Sequence, residues 1–184
     1  MTAQFKLVST KKWGYNPADV DPLIAAARTQ FANPDQPGLG ASDLRTAQFG
    51  LIKGGYRISA VDAALDRLDD AFAANEAKRL LARGGHIGAN EELEKLRETL
   101  LARTNRKKRK RFARIGLFGK GYSVRQVDSL VAGVQALLEG RTRTEIAALR
   151  EYSFGSTWNG YTEAQVDAFI DRAIEYLQLS AALA

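Results

Sequence analysis

Gly160-Tyr161-Thr162-Glu163-Ala164-Gln165-Val166-Asp167, followed by Ala168-Phe169-Ile170, is the stretch on which the reading of this 184-residue chain turns. Thr162 is a good helix N-cap residue. Gln165, three positions on, can reach back to the cap's own amide, which is the pattern of a capping box. With the cap at Thr162, Tyr161 takes the N′ position and Val166 the N4 position. That is the hydrophobic staple, a contact that fixes the angle at which a chain enters a helix. Gly160 supplies either a backbone conformation or a close approach that a Cβ would forbid.

The same arrangement recurs along the chain. Gly14-Tyr15 precedes Val20-Asp21, Gly55-Tyr56 precedes Val61-Asp62, and Gly121-Tyr122 precedes Val127-Asp128, as Gly160-Tyr161 precedes Val166-Asp167. Four fixed residues at one spacing should coincide by chance once in ~10⁵ windows. The chain is therefore read as an internal repeat of a short helix-initiating module. The tyrosines lie 41, 66 and 39 residues apart, so the modules form two pairs. Modules two and four share Leu44-Arg45 and Leu149-Arg150 upstream, and Phe49 and Phe154 seven residues before the tyrosine. Modules one and three carry Phe5 and Phe112 ten residues before it, with Val8 and Ile115 seven before it. This odd–even alternation points to duplication of a two-module unit.

Helix starts are expected after each tyrosine. Asn16-Pro17 joins a cap to a proline in the first turn, and Ser123 with Gln126 forms a second capping box. Module two has Arg57 at the cap position and Ser59 beyond it, which predicts a later or water-capped start. After each tyrosine, apolar residues fall on one helical face, as in Val20, Leu23, Ile24, Ala27 and Phe31, or Val127, Leu130, Val131, Val134 and Leu138. No such face is buried by its own module, so the helices must pack on one another. The helix of module two should end at Gly84-Gly85, and a further helix should cover about 90–103. Residues 33–40 read as a turn-rich linker. The alternation in 112–118, and more loosely in 5–8, is the pattern of short strands. The expected fold is mainly α, with two pseudo-equivalent halves of two turn-plus-helix modules each. A first pair spans 1–78, a helical connector and basic linker 79–111, and a second pair 112–184.

Composition narrows the function. The chain has no cysteine and one histidine, His86, so thiolate, zinc–thiolate and histidine-based chemistry are not expected. Asp21, Asp62, Asp128 and Asp167 fall near the fifth helical position, where a carboxylate gains a little from the helix dipole. Without histidine or cysteine partners they form no catalytic constellation. The expectation is a protein that is not an enzyme and takes no cofactor, metal or small-molecule substrate. The sequence start lacks a basic segment followed by an apolar run, which predicts a cytoplasmic location, with membrane association left open.

Arg106, Lys107, Lys108, Arg109, Lys110 and Arg111 account for the whole formal charge of +6, because the remaining 21 Lys and Arg equal the 21 Asp and Glu. The run reads either as a solvated linker or as a phosphate-contacting patch for nucleic acid or an anionic membrane surface. It contains no interleaved aromatic residue, which favours phosphate attraction over base reading.

A segment running from an apolar anchor through Phe, Gly-Tyr and Val-Asp to a hydrophobic pair resembles the N-terminal domain of the bacterial cell-division protein DivIVA. The closest matches are Leu44…Phe49…Gly55-Tyr56…Val61-Asp62 and Leu149…Phe154…Gly160-Tyr161…Val166-Asp167. The resemblance implies a helical, dimerising domain that acts as a protein-interaction or scaffolding module in cell division or polar growth, with another protein as its partner. It also implies membrane contact through a Phe-Arg pair before the Gly-Tyr glycine. The equivalent pairs here are Lys12-Trp13, Lys53-Gly54, Gly119-Lys120 and Trp158-Asn159, none of which is Phe-Arg. Lys12, Trp13, Trp158 and Asn159 are the candidates for membrane or partner contact. The tryptophans otherwise read as core or turn-packing residues.

Overall fold

The computed structural model describes residues 4–34, 36, 38–116 and 119–184. Among them the chain is mainly helical, with six helices and four short strands. Two compact units emerge, Met1–Arg79 and Leu80–Ala184, so most of the segment expected as a connector groups with the second unit.

In the first unit, strand β1 (Trp13–Tyr15) leads into helix α1 (Pro17–Ala32). A short helix α2 (Ala41–Arg45) and strand β2 (Leu51–Lys53) follow. Helix α3 (Ile58–Thr104) begins here and ends in the second unit, with its helical backbone interrupted at Gly85 (φ 61°, ψ −165°). The break is confined to one residue, so helix resumes earlier than the expected position near 90. The second unit adds β3 (Lys120–Tyr122), α4 (Val124–Leu138), α5 (Ile146–Arg150), β4 (Ser156–Trp158) and α6 (Glu163–Leu183). None of these helices is long and apolar enough to cross a membrane among the described residues.

The strands correct the sequence reading. They form at the Gly-Tyr turns themselves and at the residues just before Gly54 and Asn159. Strand β1 pairs antiparallel with β2 in the register Trp13↔Lys53, Gly14↔Ile52, Tyr15↔Leu51. Strand β3 pairs with β4 as Lys120↔Trp158, Gly121↔Thr157, Tyr122↔Ser156. The segments expected as strands contribute only isolated bridges, Leu7 to Tyr56 and Arg114 to Tyr161. Leu117 and Phe118, part of that expectation, lie outside the described residues.

At the centre of each unit two tyrosines exchange backbone hydrogen bonds. Tyr15 N donates to Tyr56 O at 3.0 Å and Tyr56 N to Tyr15 O at 2.8 Å; Tyr122 and Tyr161 do the same at 3.0 Å each. This crossing explains the glycines. A Cβ on Gly14 would collide with Tyr56 O, one on Gly55 with Tyr15 O, one on Gly121 with Tyr161 O, and one on Gly160 with Gly121. Close approach, not a left-handed backbone, is their reason.

The capping boxes differ from expectation for the same reason. Asn16 does cap α1, accepting from Ala18 N at 3.1 Å. Ser123 and Thr162 occupy cap positions without a capping hydrogen bond. The amides that a capping box would use are engaged across the unit in all three modules, Asn16 N by Gly50 O (2.8 Å), Ser123 N by Gly155 O (2.8 Å) and Thr162 N by Ala113 O (2.9 Å). The expected box residues therefore bond the reciprocal donors: Gln126 Oε1 accepts from Gly155 N at 2.8 Å, and Gln165 Oε1 from Ala113 N at 3.0 Å. Asp19 likewise accepts from Gly50 N at 2.9 Å. Arg57 donates its amide to Lys6 O (2.9 Å), and α3 starts directly after it, not later.

Candidate functional site

The aromatic side chains cross between segments as the backbone does. Phe5 meets the ring of Tyr56 edge-on at 5.3 Å, and Phe112 meets Tyr161 at the same distance. Phe49 packs on Tyr15 (5.1 Å) and Phe154 on Tyr122 (4.9 Å). In each case the phenylalanine that precedes one tyrosine in sequence packs on the other tyrosine of its unit. Tyr56 and Tyr161 are buried, and Val20, Val61, Val127 and Val166 sit in the same cores.

The aspartates complete the exchange. Tyr56 Oη donates to Asp21 Oδ1 at 3.0 Å, and Tyr161 Oη donates to Asp128 Oδ1 at 3.2 Å. The Tyr15 and Tyr122 hydroxyls face Asp62 and Asp167, whose carboxylates help to raise the two phenols. Asp21 and Asp128 thus accept a phenolic hydrogen bond from the opposite segment, and Asp62 and Asp167 face the other two phenols, a role that the helix dipole did not suggest. Burial first, and then the neighbouring carboxylate, raise all four phenols above their ordinary value of 10.0.

The two buried exchanges differ in what surrounds them. Gln4 N donates to Tyr56 Oη at 3.0 Å, and Arg111 N donates to Tyr161 Oη at 3.2 Å. The Arg111 guanidinium turns inward, 3.7 Å from Asp128 Oδ1 and bonded at 2.8 Å to the Asp128 carbonyl. Arg111 is only 4% exposed. That corrects its expected role: it neutralises a buried carboxylate and does not face a phosphate in solution.

The rest of the basic run stays at the surface, but it is not a loose linker. Arg109 N donates to Asp128 Oδ2 at 2.8 Å, Lys110 N to Lys107 O at 3.0 Å, and Arg111 Nε to Arg106 O at 3.3 Å. Arg109 adopts a left-handed backbone, φ 67°. Residues 106–110 therefore form an anchored turn that displays its side chains outward.

The tips of the two small sheets carry the tryptophans. Trp13 is 59% and Trp158 63% exposed, so turn packing does not describe them. Each lies opposite a lysine in strand register, with Lys53 Nζ 5.8 Å from the Trp13 ring and Lys120 Nζ 5.0 Å from the Trp158 ring. The sequence candidates Lys12 and Asn159 are not these partners. Lys12 O accepts from Gly54 N, and Asn159 donates its amide to Gly119 O. Asn159 (φ 48°) and Gly54 (φ 74°) both need a left-handed backbone, which suits Asn and Gly and disfavours an arginine there. Lys53 and Lys120 could be recognised only from the cross-strand register. The chain matches no family model, no curated protein and no solved structure.

Proposed function

We propose that the chain is a non-catalytic protein-interaction or scaffolding module of DivIVA-domain type, built by duplication of a two-module unit. The observation that carries this reading is the reciprocal crossing inside each unit. Two Gly-Tyr segments exchange backbone bonds, phenylalanines and tyrosine–aspartate pairs. A domain that resembles a dimerising family thereby obtains its dimer contacts within one chain, twice. The exposed Trp–Lys couples at the sheet tips, one ring and one ammonium each, are the surfaces offered to a partner protein. The cellular setting, cytoplasmic with a link to bacterial division or polar growth, rests on the motif resemblance.

A fluorescent fusion of the full chain in a rod-shaped bacterium tests this. Wild type should form polar or septal foci, and Trp13→Ala/Trp158→Ala should spread evenly while keeping the wild-type melting temperature. Diffuse signal from the wild type would overturn the reading.

A second reading is favoured by the anchored turn at 106–110: that the chain binds a polyanion, nucleic acid or an anionic membrane, through the basic run. A turn held by Asp128 loses less freedom on binding than a flexible linker does.

A further inference from the structure

Lys108 and Arg109 line one side of a groove of about 520 Å³ on the second unit, and Arg125, from the first turn of α4, lines it as well. None of these three side chains has a carboxylate partner among the described residues. The one carboxylate in the lining, Asp128, is already engaged by Arg109 N, Tyr161 Oη and Arg111. The groove is therefore positive despite the acid at its floor.

A second hollow, of about 530 Å³, shares Arg125 and Ser129 with the first. The hydroxyls of Ser123, Ser156 and Thr157 line it, and so does Tyr152. Ser129 and Tyr152 continue into a third hollow that reaches Gly133 and Val134. From Val124 to Val134 the floor follows α4 for about 15 Å at the rise of an α-helix. Arg125 and the hydroxyls of Ser123, Ser156 and Thr157 lie together near the N-terminal end of α4. Tyr152 has its ring 4.9 Å from Phe154 on one side and is 42% exposed.

Resting on the second reading above, we propose that this groove binds single-stranded nucleic acid. Lys108, Arg109 and Arg125 would take backbone phosphates, and Tyr152 would stack one base. Guanidinium, ammonium and hydroxyl donors are the groups that hold phosphate oxygens, and an exposed ring beside a positive groove is the usual platform for an unpaired base. A concave track of this length suits a flexible strand. A membrane is flat on this scale, and a duplex keeps its bases inside its stack and offers none to Tyr152. The sequence run lacked an interleaved aromatic residue; the fold supplies one from a segment more than forty residues away.

Fluorescence anisotropy on the full chain tests this with labelled oligo-dT and oligo-U of about 10 nucleotides, a duplex of equal length, and anionic vesicles of phosphatidylserine in phosphatidylcholine. Single strands should bind more tightly than duplex or vesicles. The triple variant Lys108→Gln/Arg109→Gln/Arg125→Gln should lower the slope of log affinity against log salt by about 2, three phosphate contacts at roughly 0.7 each. Tyr152→Ala should weaken binding about 5-fold or more, with the salt slope unchanged. Lys107→Gln/Lys110→Gln, on the same turn but outside the groove lining, should cost less than the triple. All these positions are exposed, and circular dichroism checks that each variant stays folded. Binding to single strands that ignores Arg125 and Tyr152 but needs Lys107 and Lys110 overturns the groove while leaving the basic-run reading intact. Preference for vesicles or duplex does the same. Failure to bind any of the polyanions removes the basic-run reading itself.

Discussion

Tyr56–Asp21 in the first unit and Tyr161–Asp128 in the second make the same bond, at 3.0 and 3.2 Å, on the same backbone crossing. Asp21 is half-buried, whereas Asp128 is 7% exposed. A buried carboxylate needs a counter-charge, and the second unit supplies one in Arg111 where the first has Gln4. The cores differ in the same direction. The first unit divides into two small clusters, one of them built around Ala27 and Ala41. The second has one continuous cluster that draws in Leu100 from α3. Phe31 and Leu138 occupy the same stripe position after their tyrosines, yet Phe31 is 50% exposed and Leu138 is 4% exposed. The comparison teaches that the motif specifies the crossing, and that residues outside the motif decide how dry each crossing becomes.

Breaking the acid in each unit gives the largest contrast. Asp128→Ala strands the buried Arg111 charge and should cost about 3–5 kcal/mol in urea denaturation. Asp21→Ala removes one phenolic hydrogen bond at a wetter site and should cost about 1 kcal/mol. Equal costs would show that Arg111 is not what separates the two units.

A smaller effect is expected at alkaline pH. The four phenols are raised in the folded state, mainly by burial, so the folded chain holds protons that the unfolded chain releases above 10.0. Their contribution is complete below that value and is lost as pH rises through the folded values. Each tyrosine adds at most about 1.4 kcal/mol per pH unit to the decline. Melting curves of wild type and Tyr161→Phe between pH 9 and 12 measure this (roughly one ionisation's difference in slope). Identical slopes would mean that Tyr161 does not differ from an exposed phenol.

The smallest contrast lies at the caps. Asn16→Ala should cost about 1 kcal/mol because its side chain caps α1. Ser123→Ala should cost only a few tenths of that, because Ser123 makes no capping bond. Chemical denaturation of both variants decides it, and a larger loss at Ser123 would contradict the bond pattern around Gly155.

How much of this was legible beforehand depends on whether the interaction is local. Tyr, the cap residue and the valine stripe lie within one helical turn or two of each other, and helix starts at Pro17, Val124 and Glu163 follow from such local spacing. The glycines announced either a special backbone or a close approach, and their sequence context offered no choice between the two. Phe31 matched the stripe, but nothing local says whether another element will cover it. The strands at the Gly-Tyr turns were missed because three-residue pairings have no periodicity of their own. Each exists only because its partner strand, some forty residues away, brings the complementary donors and acceptors.

The amino-acid sequence by itself determined a mainly helical chain, the helix starts at Pro17, Val124 and Glu163, and the concentration of its net charge in one run. Those properties are set by neighbours on the chain. Only the tertiary structure decided that the tyrosines cross to opposite aspartates, that Arg111 leaves the basic run for the core, and that Lys53 and Lys120 meet the tryptophans. Those contacts join residues 17 to 40 positions apart, and the chain must fold before any of them can contribute free energy.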